Sequence, residues 1–358
     1  EELINEGVRR AYLLPDNVLR ASVLADPAGA RKNTQDNTPA VIHMELVPGN
    51  EVHIQLAAKG GGSEAKSKLA MLNPADSIVD WVLKTVPTMG AGWCPPGMLG
   101  IGIGGTAEKA MLLAKRSLMG DIDIQTLIDR GPSNRIEELR LEIFEKVNAL
   151  GIGAQGLGGL TTVLDVKILD YPTHAANLPV AMIPNCAATR HVHFTLDGSG
   201  PAELTPPSLE DWPSITWEAG AGARRVNLDQ VTAEDVSQWQ PGETLLISGT
   251  MLTGRDAAHK KIRDLFERGE TLPDGVDLNG KFIYYVGPVD PVRDEVVGPA
   301  GPTTSTRMDG FTAMMLEKTG LLGMIGKAER GPLAIEAIKS HGAVYLMAVG
   351  GEIGRAHV

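Results

Sequence analysis

Residues 244–268 read TLLISGTMLTGRDAAHKKIRDLFER, a strand-like run at 244–248 followed by a helical pattern at 257–268. The same alternation continues downstream. Strand-like runs at 281–286 and 344–349 flank a helical pattern at 308–316. A further helix opens at Pro332, a favoured first-turn residue, and stops at Gly342. Strands separated by helices imply an α/β domain. Upstream, residues 201–213 are polar and Pro-rich and read as a linker. Before it, residues 40–58 (AVIHMELVPGNEVHIQLAA) alternate β-branched positions about a Pro-Gly-Asn turn and predict two strands. Residues 107–118 carry Ala, Met and Leu at helical spacing. A longer helix runs from Asn134, with Glu137 as its capping-box partner, through Ile136, Leu139, Ile143, Val147 and Leu150 to Gly151. There is no internal repeat. The expected architecture is a two-domain α/β protein: a larger N-terminal domain over 1–204, a linker over 205–216 and a smaller C-terminal domain over 217–352.

Bulk properties narrow the function. A chain of 358 residues is long for one hydrophobic core, which favours two domains. A net charge of −11 disfavours nucleic acid and anionic membrane surfaces as partners, while leaving room for a locally basic pocket. Aromatic residues at 4% leave little for base-stacking platforms. No stretch approaches the roughly 20 apolar residues of a membrane-spanning helix, and no signal pattern opens the chain. Cys94 and Cys186 alone form no disulfide framework, so a reducing cytoplasm is expected. The chain opens at Glu1 within a helical pattern, and residues 353–358 back-translate as ATC GGA AGA GCA CAC GTC, the start of a common sequencing-library adapter. The expectation is a fragment lacking both ends, in which residues 353–358, His357 included, belong to no site.

Several short motifs carry chemistry, each beside a plainer reading. Cys94 lies in Trp93-Cys94-Pro95-Pro96-Gly97 and Cys186 in Pro184-Asn185-Cys186-Ala187-Ala188. A Cys followed by Pro on a turn presents a thiolate well, yet a free Cys is usually a small buried hydrophobe. Two are too few for an iron–sulfur cluster, which needs three thiolates even with one iron left open. Gly100, Gly102 and Gly105 satisfy G-x-G-x-x-G, with Asp121 and Asp123 downstream, and would suit an NAD-dependent dehydrogenase if a buried strand preceded them. His191-Val192-His193 with Cys186 offers zinc ligands, against simple alternation on a strand. Lys59-Gly60-Gly61-Gly62-Ser63 lets backbone N–H groups converge on an anion, or is a turn. The run from Gly301 through Pro302, Thr303, Thr304, Ser305, Thr306, Arg307 and Met308 to Asp309 sets hydroxyls and a guanidinium ahead of a helix, suiting a carboxylate or ordinary capping.

Taken in order, Ala58-Lys59-Gly60-Gly61-Gly62-Ser63, Cys94-Pro95-Pro96, Pro184-Asn185-Cys186-Ala187-Ala188, Gly254-Arg255-Asp256-Ala257-Ala258-His259, the Gly301 to Asp309 run, Ile325-Gly326-Lys327 and Gly350-Gly351 form a series. This series resembles the class I, iron–sulfur-dependent fumarate hydratases, a family that includes L-tartrate dehydratase and mesaconate hydratase. The resemblance implies a [4Fe–4S] cluster with one open iron, held by Cys94, Cys186 and a third Cys within a Cys-Gln-Asp segment expected upstream of Glu1. It further implies substrate binding by Arg20, Gly62, Arg255, Arg307 and Lys327, and catalytic roles for Thr303 and His174. The implied reaction is reversible hydration of fumarate to (S)-malate, a step of the tricarboxylic acid cycle, by a cytoplasmic homodimer. L-tartrate and mesaconate are the alternative small dicarboxylates. The N-terminal domain would bind the cluster, and the C-terminal one would be of a swivelling type.

Overall fold

The computed structural model describes residues 1–15, 17, 19–205, 222–288 and 300–348. From residue 206 onward the expected linker lies outside the described residues, as do Gly350, Gly351 and residues 353–358.

The N-terminal half runs α1 (Glu2–Leu13), β1 (Leu24–Ala25), β2 (Lys32–Asn33), β3 (Val52–Ala57), α2 (Gly61–Glu64), β4 (Lys68–Leu72), α3 (Ile78–Thr88), β5 (Gly97–Gly104), α4 (Ala107–Ser117), α5 (Ile124–Arg130), α6 (Arg135–Ala149), β6 (Val163–Tyr171), β7 (Leu178–Cys186) and β8 (His191–Leu196). Its sheet has the order β4-β7-β5-β6, with β5 parallel to β6 and antiparallel to β7. Strand β5 is the glycine-rich run itself. Leu99, Ile101 and Ile103 point to one face, where they pack with Val82 and Val86 of α3 and Leu139, Ile143 and Val147 of α6. Gly100 and Gly102 lie on the other face, beneath α4. A Cβ on Gly102 would meet the Ala110 carbonyl, and would sit 2.6 Å from the Ala114 nitrogen and 2.8 Å from Leu113 Cβ. The glycines are therefore the floor on which α4 rests, and the dinucleotide reading loses its loop: only Gly104 and Gly105 turn out of the strand.

This packing has a measurable consequence. Gly102→Ala is expected to cost about 1–3 kcal/mol through overpacking, read as an earlier urea-unfolding midpoint. An unchanged midpoint would mean that α4 is not seated on β5.

Helix α6 starts where its cap requires, with the Asn134 side chain accepting from the Glu137 backbone N–H at 3.0 Å. The Glu137 carboxylate does not return to Asn134. It accepts instead from the Ser133 N–H at 2.7 Å, the Ser133 hydroxyl at 2.8 Å and the Arg130 guanidinium at 2.6 Å. Arg130 first, then Ser133, lowers the Glu137 pKa to about 2. Because the folded value lies below the ordinary 4.5, this stabilisation is present above that pH and is lost as the pH falls toward 2. In acid titrations, the stability gap between wild type and Glu137→Gln should close over that window. A gap independent of pH would exclude the charge as its source.

The C-terminal half contains β9 (Arg224–Asn227), α7 (Ala233–Ser237), β10 (Leu245–Ser248), β11 (Leu252–Thr253), α8 (Asp256–Glu267), β12 (Phe282–Tyr284), α9 (Asp309–Thr319), β13 (Gly323–Gly326), α10 (Pro332–Ser340) and β14 (Val344–Met347). Strands β11-β12-β13-β14 form an all-parallel sheet. Ile283, Met324 and Tyr345 pack with Met308, Met315, Leu316 and Ala337 on one face. Phe282, Ile325 and Leu346 pack with Val226, Leu228 and Val236 on the other. Parallel strands covered on both faces need apolar residues at every position, which is why this half reads as strands so readily.

Two expectations need correction. The run at 244–248 is a strand, but β10 pairs with β9 in a separate two-stranded sheet, and the short β11 forms the main sheet's edge. Of the two strands expected in 40–58, only β3 exists, paired antiparallel with β8. Val41, Met44 and Leu46 are exposed and lie in no strand. Alternation there meets no partner edge among the described residues, and a strand is defined by its pairing as much as by its pattern.

Candidate functional site

In open parallel sheets, ligands bind beyond the carboxyl ends of the strands. Here that edge carries cations. Gly254 and Arg255 follow β11, Gly287 lies just past β12, and Lys327 follows β13. The Thr303 to Ser305 segment is threaded alongside. Thr303 N–H donates to the Tyr285 carbonyl at 2.7 Å, Lys327 N–H to the Thr303 carbonyl at 3.2 Å, and Ser305 N–H to the Lys327 carbonyl at 2.9 Å. Thr303 and Lys327 are both buried.

Arg20 arrives from the N-terminal half and donates from Nη1 to the Gly287 carbonyl at 3.0 Å. A Cβ on Gly287 would collide with Arg20 Nη1 and lie 3.4 Å from Arg255 Cζ, so two guanidinium groups converge over this glycine. Burial first, then the positive charges of Arg20 and Arg307, pushes the Arg255 pKa down, with Asp256 opposing. Arg307 is held by Asp256 in a bidentate pair, Nε to Oδ1 at 2.9 Å and Nη2 to Oδ2 at 2.6 Å. Arg255 itself makes no ion pair with a carboxylate among the described residues. It is half-buried, crowded by like charge and suited to an incoming anion.

Beside this edge lie the two cysteines. Cys94 closes a tight turn over Gly90–Trp93 in the left-handed conformation, at φ 62° and ψ 59°. Gly97, which begins β5, pairs in register with Cys186 at the end of β7. The pairing brings the two cysteines to the same end of the sheet. Both are buried. Helix α2 packs against both β7 and the Cys94 turn. Lys59 beside it binds Glu64 at 3.0 Å. Burial pushes the Lys59 pKa down, opposed first by Glu64, and Cys186 lies close enough to favour its charge. Gly62 is exposed within α2, and the Ser63 hydroxyl donates to the Gly60 carbonyl at 3.2 Å. Across the seam, Lys327 Nζ lies 2.5 Å from Cys94 Sγ.

Arg20, Arg255, Arg307, Thr303, Lys327, Cys94 and Cys186 thus occupy the seam between the halves, or its rim. His174 does not. It follows β6 at the Gly104–Tyr171 end of β5, whereas the cysteines flank the Gly97 end; eight strand residues separate the ends, roughly 25 Å. There His174 lines a cavity of about 480 Å³ with Lys109, Tyr171 and Thr173. His191 and His193 alternate on β8, and His193 lies 3.2 Å from Asp121. Among the described residues no three of His, Cys, Asp or Glu are grouped to hold a metal ion. That removes the zinc arrangement of Cys186 with both histidines, and it leaves two thiols as the protein's share of any cluster.

Two residues of the site are not apparent from sequence. Asp256 governs Arg307, and Lys59 supplies charge beside Cys186. Both stand inside the motifs of the series; the acidic neighbour of Arg255 is the available signal for the first.

An α/β chain with guanidinium groups converging at a parallel sheet's carboxyl edge, next to two buried thiols, belongs among binders of small anions. Comparison with known proteins is specific. The family profile "Fumarate hydratase (Fumerase)" matches residues 1–195 and "Fumarase C-terminus" matches residues 198–356. The chain belongs to the fumarate hydratase family. The split between the two profiles agrees with a two-part organisation. The chain is 30% identical to "Fumarate hydratase class I, anaerobic" of Escherichia coli (strain K12), over 98% of this chain and 66% of that protein. It is 31% identical to "Fumarate hydratase 2" of Leishmania major, over 98% and 63%. It is 40% identical to "Putative L(+)-tartrate dehydratase subunit alpha" of Methanocaldococcus jannaschii, over 53% and 66%. The chain therefore spans about two thirds or less of the length of these relatives. No helix among the described residues is long and apolar enough to cross a membrane.

Proposed function

We propose that the protein carrying this chain is a hydro-lyase that reversibly adds water to fumarate, giving (S)-malate. The observation that carries this reading is the convergence of Arg20 and Arg255 over Gly287, with Arg307 beside them and Lys327 within reach of Cys94. Fumarate brings two carboxylates, and loss of a proton next to one of them on the malate side creates an aci-carboxylate with added negative charge. Fixed cations aimed at that charge stabilise the transition state more than the ground state. Arg255 binds one carboxylate, and Arg20 and Arg307 hold its position. Each charged hydrogen bond contributes about 1.5–3 kcal/mol. Gly62 offers its backbone from the N-terminal half. Thr303 moves the proton at Oγ1, a weak base on its own that depends on neighbouring positive charge.

The buried thiols of Cys94 and Cys186, at one end of the sheet and beside Lys59 and Lys327, suit a [4Fe–4S] cluster as two of its ligands; the third belongs to the Cys-Gln-Asp segment expected upstream. When bound, such a cluster supplies Lewis acidity toward a carboxylate and a hydroxyl. Residues 1–204 and 217–352 act as domains, and a swivel of the second over the first excludes water from the seam. His174 lies outside this constellation in the single chain, and its catalytic role is the least supported by geometry. A cytoplasmic homodimer completes the proposal.

A second reading, L-tartrate dehydration, draws on the likeness to the dehydratase subunit. It covers about half the chain, whereas the fumarate hydratases align through both halves. Anaerobic assay of the protein with fumarate, mesaconate and L-tartrate in parallel decides between them. Malate formation as the fastest reaction is expected; negligible fumarate turnover overturns the proposal.

A further inference from the structure

We propose that Cys94 and Lys327 form a covalent modification site, in which dioxygen joins the two side chains through a single oxygen atom as Sγ–O–Nζ. The proposal stands on the geometry of this pair, independently of the reaction assigned above. Lys327 Nζ lies 2.5 Å from Cys94 Sγ. The other polar contacts to sulfur are far longer: Arg330 Nη1 to Met324 Sδ is 3.7 Å and Cys186 Sγ to the Ala188 carbonyl is 3.8 Å. The short separation is what two single bonds through one bridging atom would span. It is longer than a direct S–N bond and shorter than an N–H···S hydrogen bond.

Both partners are held in place. Cys94 is 4% exposed and fixed in a left-handed turn, and Lys327 is 5% exposed. The Lys327 N–H and carbonyl are both engaged by the Thr303 to Ser305 segment. Little side-chain freedom remains to be lost when the bond forms. The nearby Lys59 is occupied by Glu64, so Lys327 is the amine in direct contact with this sulfur.

The chemistry balances. The Cys94 S–H bond and one Lys327 N–H bond break, and S–O and O–N bonds form. Sulfur and nitrogen each give up two electrons, dioxygen accepts all four, and its second oxygen leaves as water with the two released hydrogens. A thiol reductant returning four electrons and four protons regenerates the thiol, the amine and water. Such a bridge belongs with the reversible stages of cysteine oxidation. It ties the N-terminal half to the C-terminal half across 233 residues of sequence.

The chain as it stands is sufficient for the test. One sample is held in air and another kept anaerobic with dithiothreitol, and both are digested with trypsin and analysed by tandem mass spectrometry. The aerobic sample is expected to yield a linked pair of peptides containing Cys94 and Lys327, about 14 Da heavier than their sum, with cleavage at Lys327 suppressed. Dithiothreitol should abolish the pair, and Lys327→Arg, which keeps the charge without the primary amine, should never form it. Recovery of aerobic Cys94 as a free thiol, as a disulfide with Cys186 or as a sulfinic acid, with Lys327 unmodified, overturns the proposal. Wild-type protein alone distinguishes these outcomes, whether or not the variant folds.

Discussion

Replacing Arg255 with Ala is expected to weaken dicarboxylate binding by about 10- to 100-fold, the equivalent of one charged hydrogen-bonded contact of 1.5–3 kcal/mol. Its surroundings set the size of the effect. Arg307 already shares its charge with Asp256, whereas Arg255 faces burial and two like charges without a described carboxylate to offset them. A bound carboxylate relieves that repulsion as it forms its hydrogen bonds. Arg255→Lys should recover part of the affinity, because it restores the charge without the planar fork. Arg307→Ala should also collapse turnover, partly by releasing Asp256 to pair with Arg255. Titration calorimetry with fumarate and (S)-malate, alongside KM, reads these effects. Unchanged affinity in Arg255→Ala would place the anion elsewhere.

The second large effect concerns the thiols. Cys186→Ser is expected to remove the iron–sulfur absorbance of the anaerobically prepared protein, and Cys94→Ser to do the same, because each supplies a thiolate that serine does not replace. Circular dichroism should stay unchanged, since both side chains are small and the sheet around Gly97 and Cys186 is held by backbone pairing. Arg307→Ala, by contrast, should retain full absorbance. Normal iron and sulfide in either Cys variant would contradict its assignment as a ligand.

Local periodicity carries most of the fold. Helix α6 is legible because Leu139, Ile143 and Val147 recur at helical spacing and Asn134 caps it, and α10 because Pro332 and Gly342 bracket it. Strand β5 is hidden in a run that resembles a phosphate loop. Glycine has no side chain to register a pattern, and the signal that remains is Leu99, Ile101 and Ile103 at every second position. The Gly100 and Gly102 requirement comes from α4, an element the run itself cannot reveal. Residues 41–47 show the reverse failure, a strand pattern without a partner.

The site is legible only in part, for the same reason. Motif order along the chain points to Arg20, Arg255, Arg307, Lys327 and both cysteines. Spacing cannot show that Arg20 meets the Gly287 carbonyl 267 residues away, or that Lys327 meets Cys94. The pairing of Arg307 with Asp256 is likewise a tertiary fact, although the two lie at the starts of helices α9 and α8. His174 is singled out by motif position, and the fold sets it at the far end of β5.

Diffraction at the iron absorption edge, from anaerobic crystals of the protein soaked with fumarate, addresses both halves of the site together. The expected map has iron bonded to the sulfurs of Cys94 and Cys186 and a fumarate carboxylate within hydrogen-bond distance of Arg255. Iron elsewhere, or a carboxylate remote from Arg255 with the seam empty, would contradict the account.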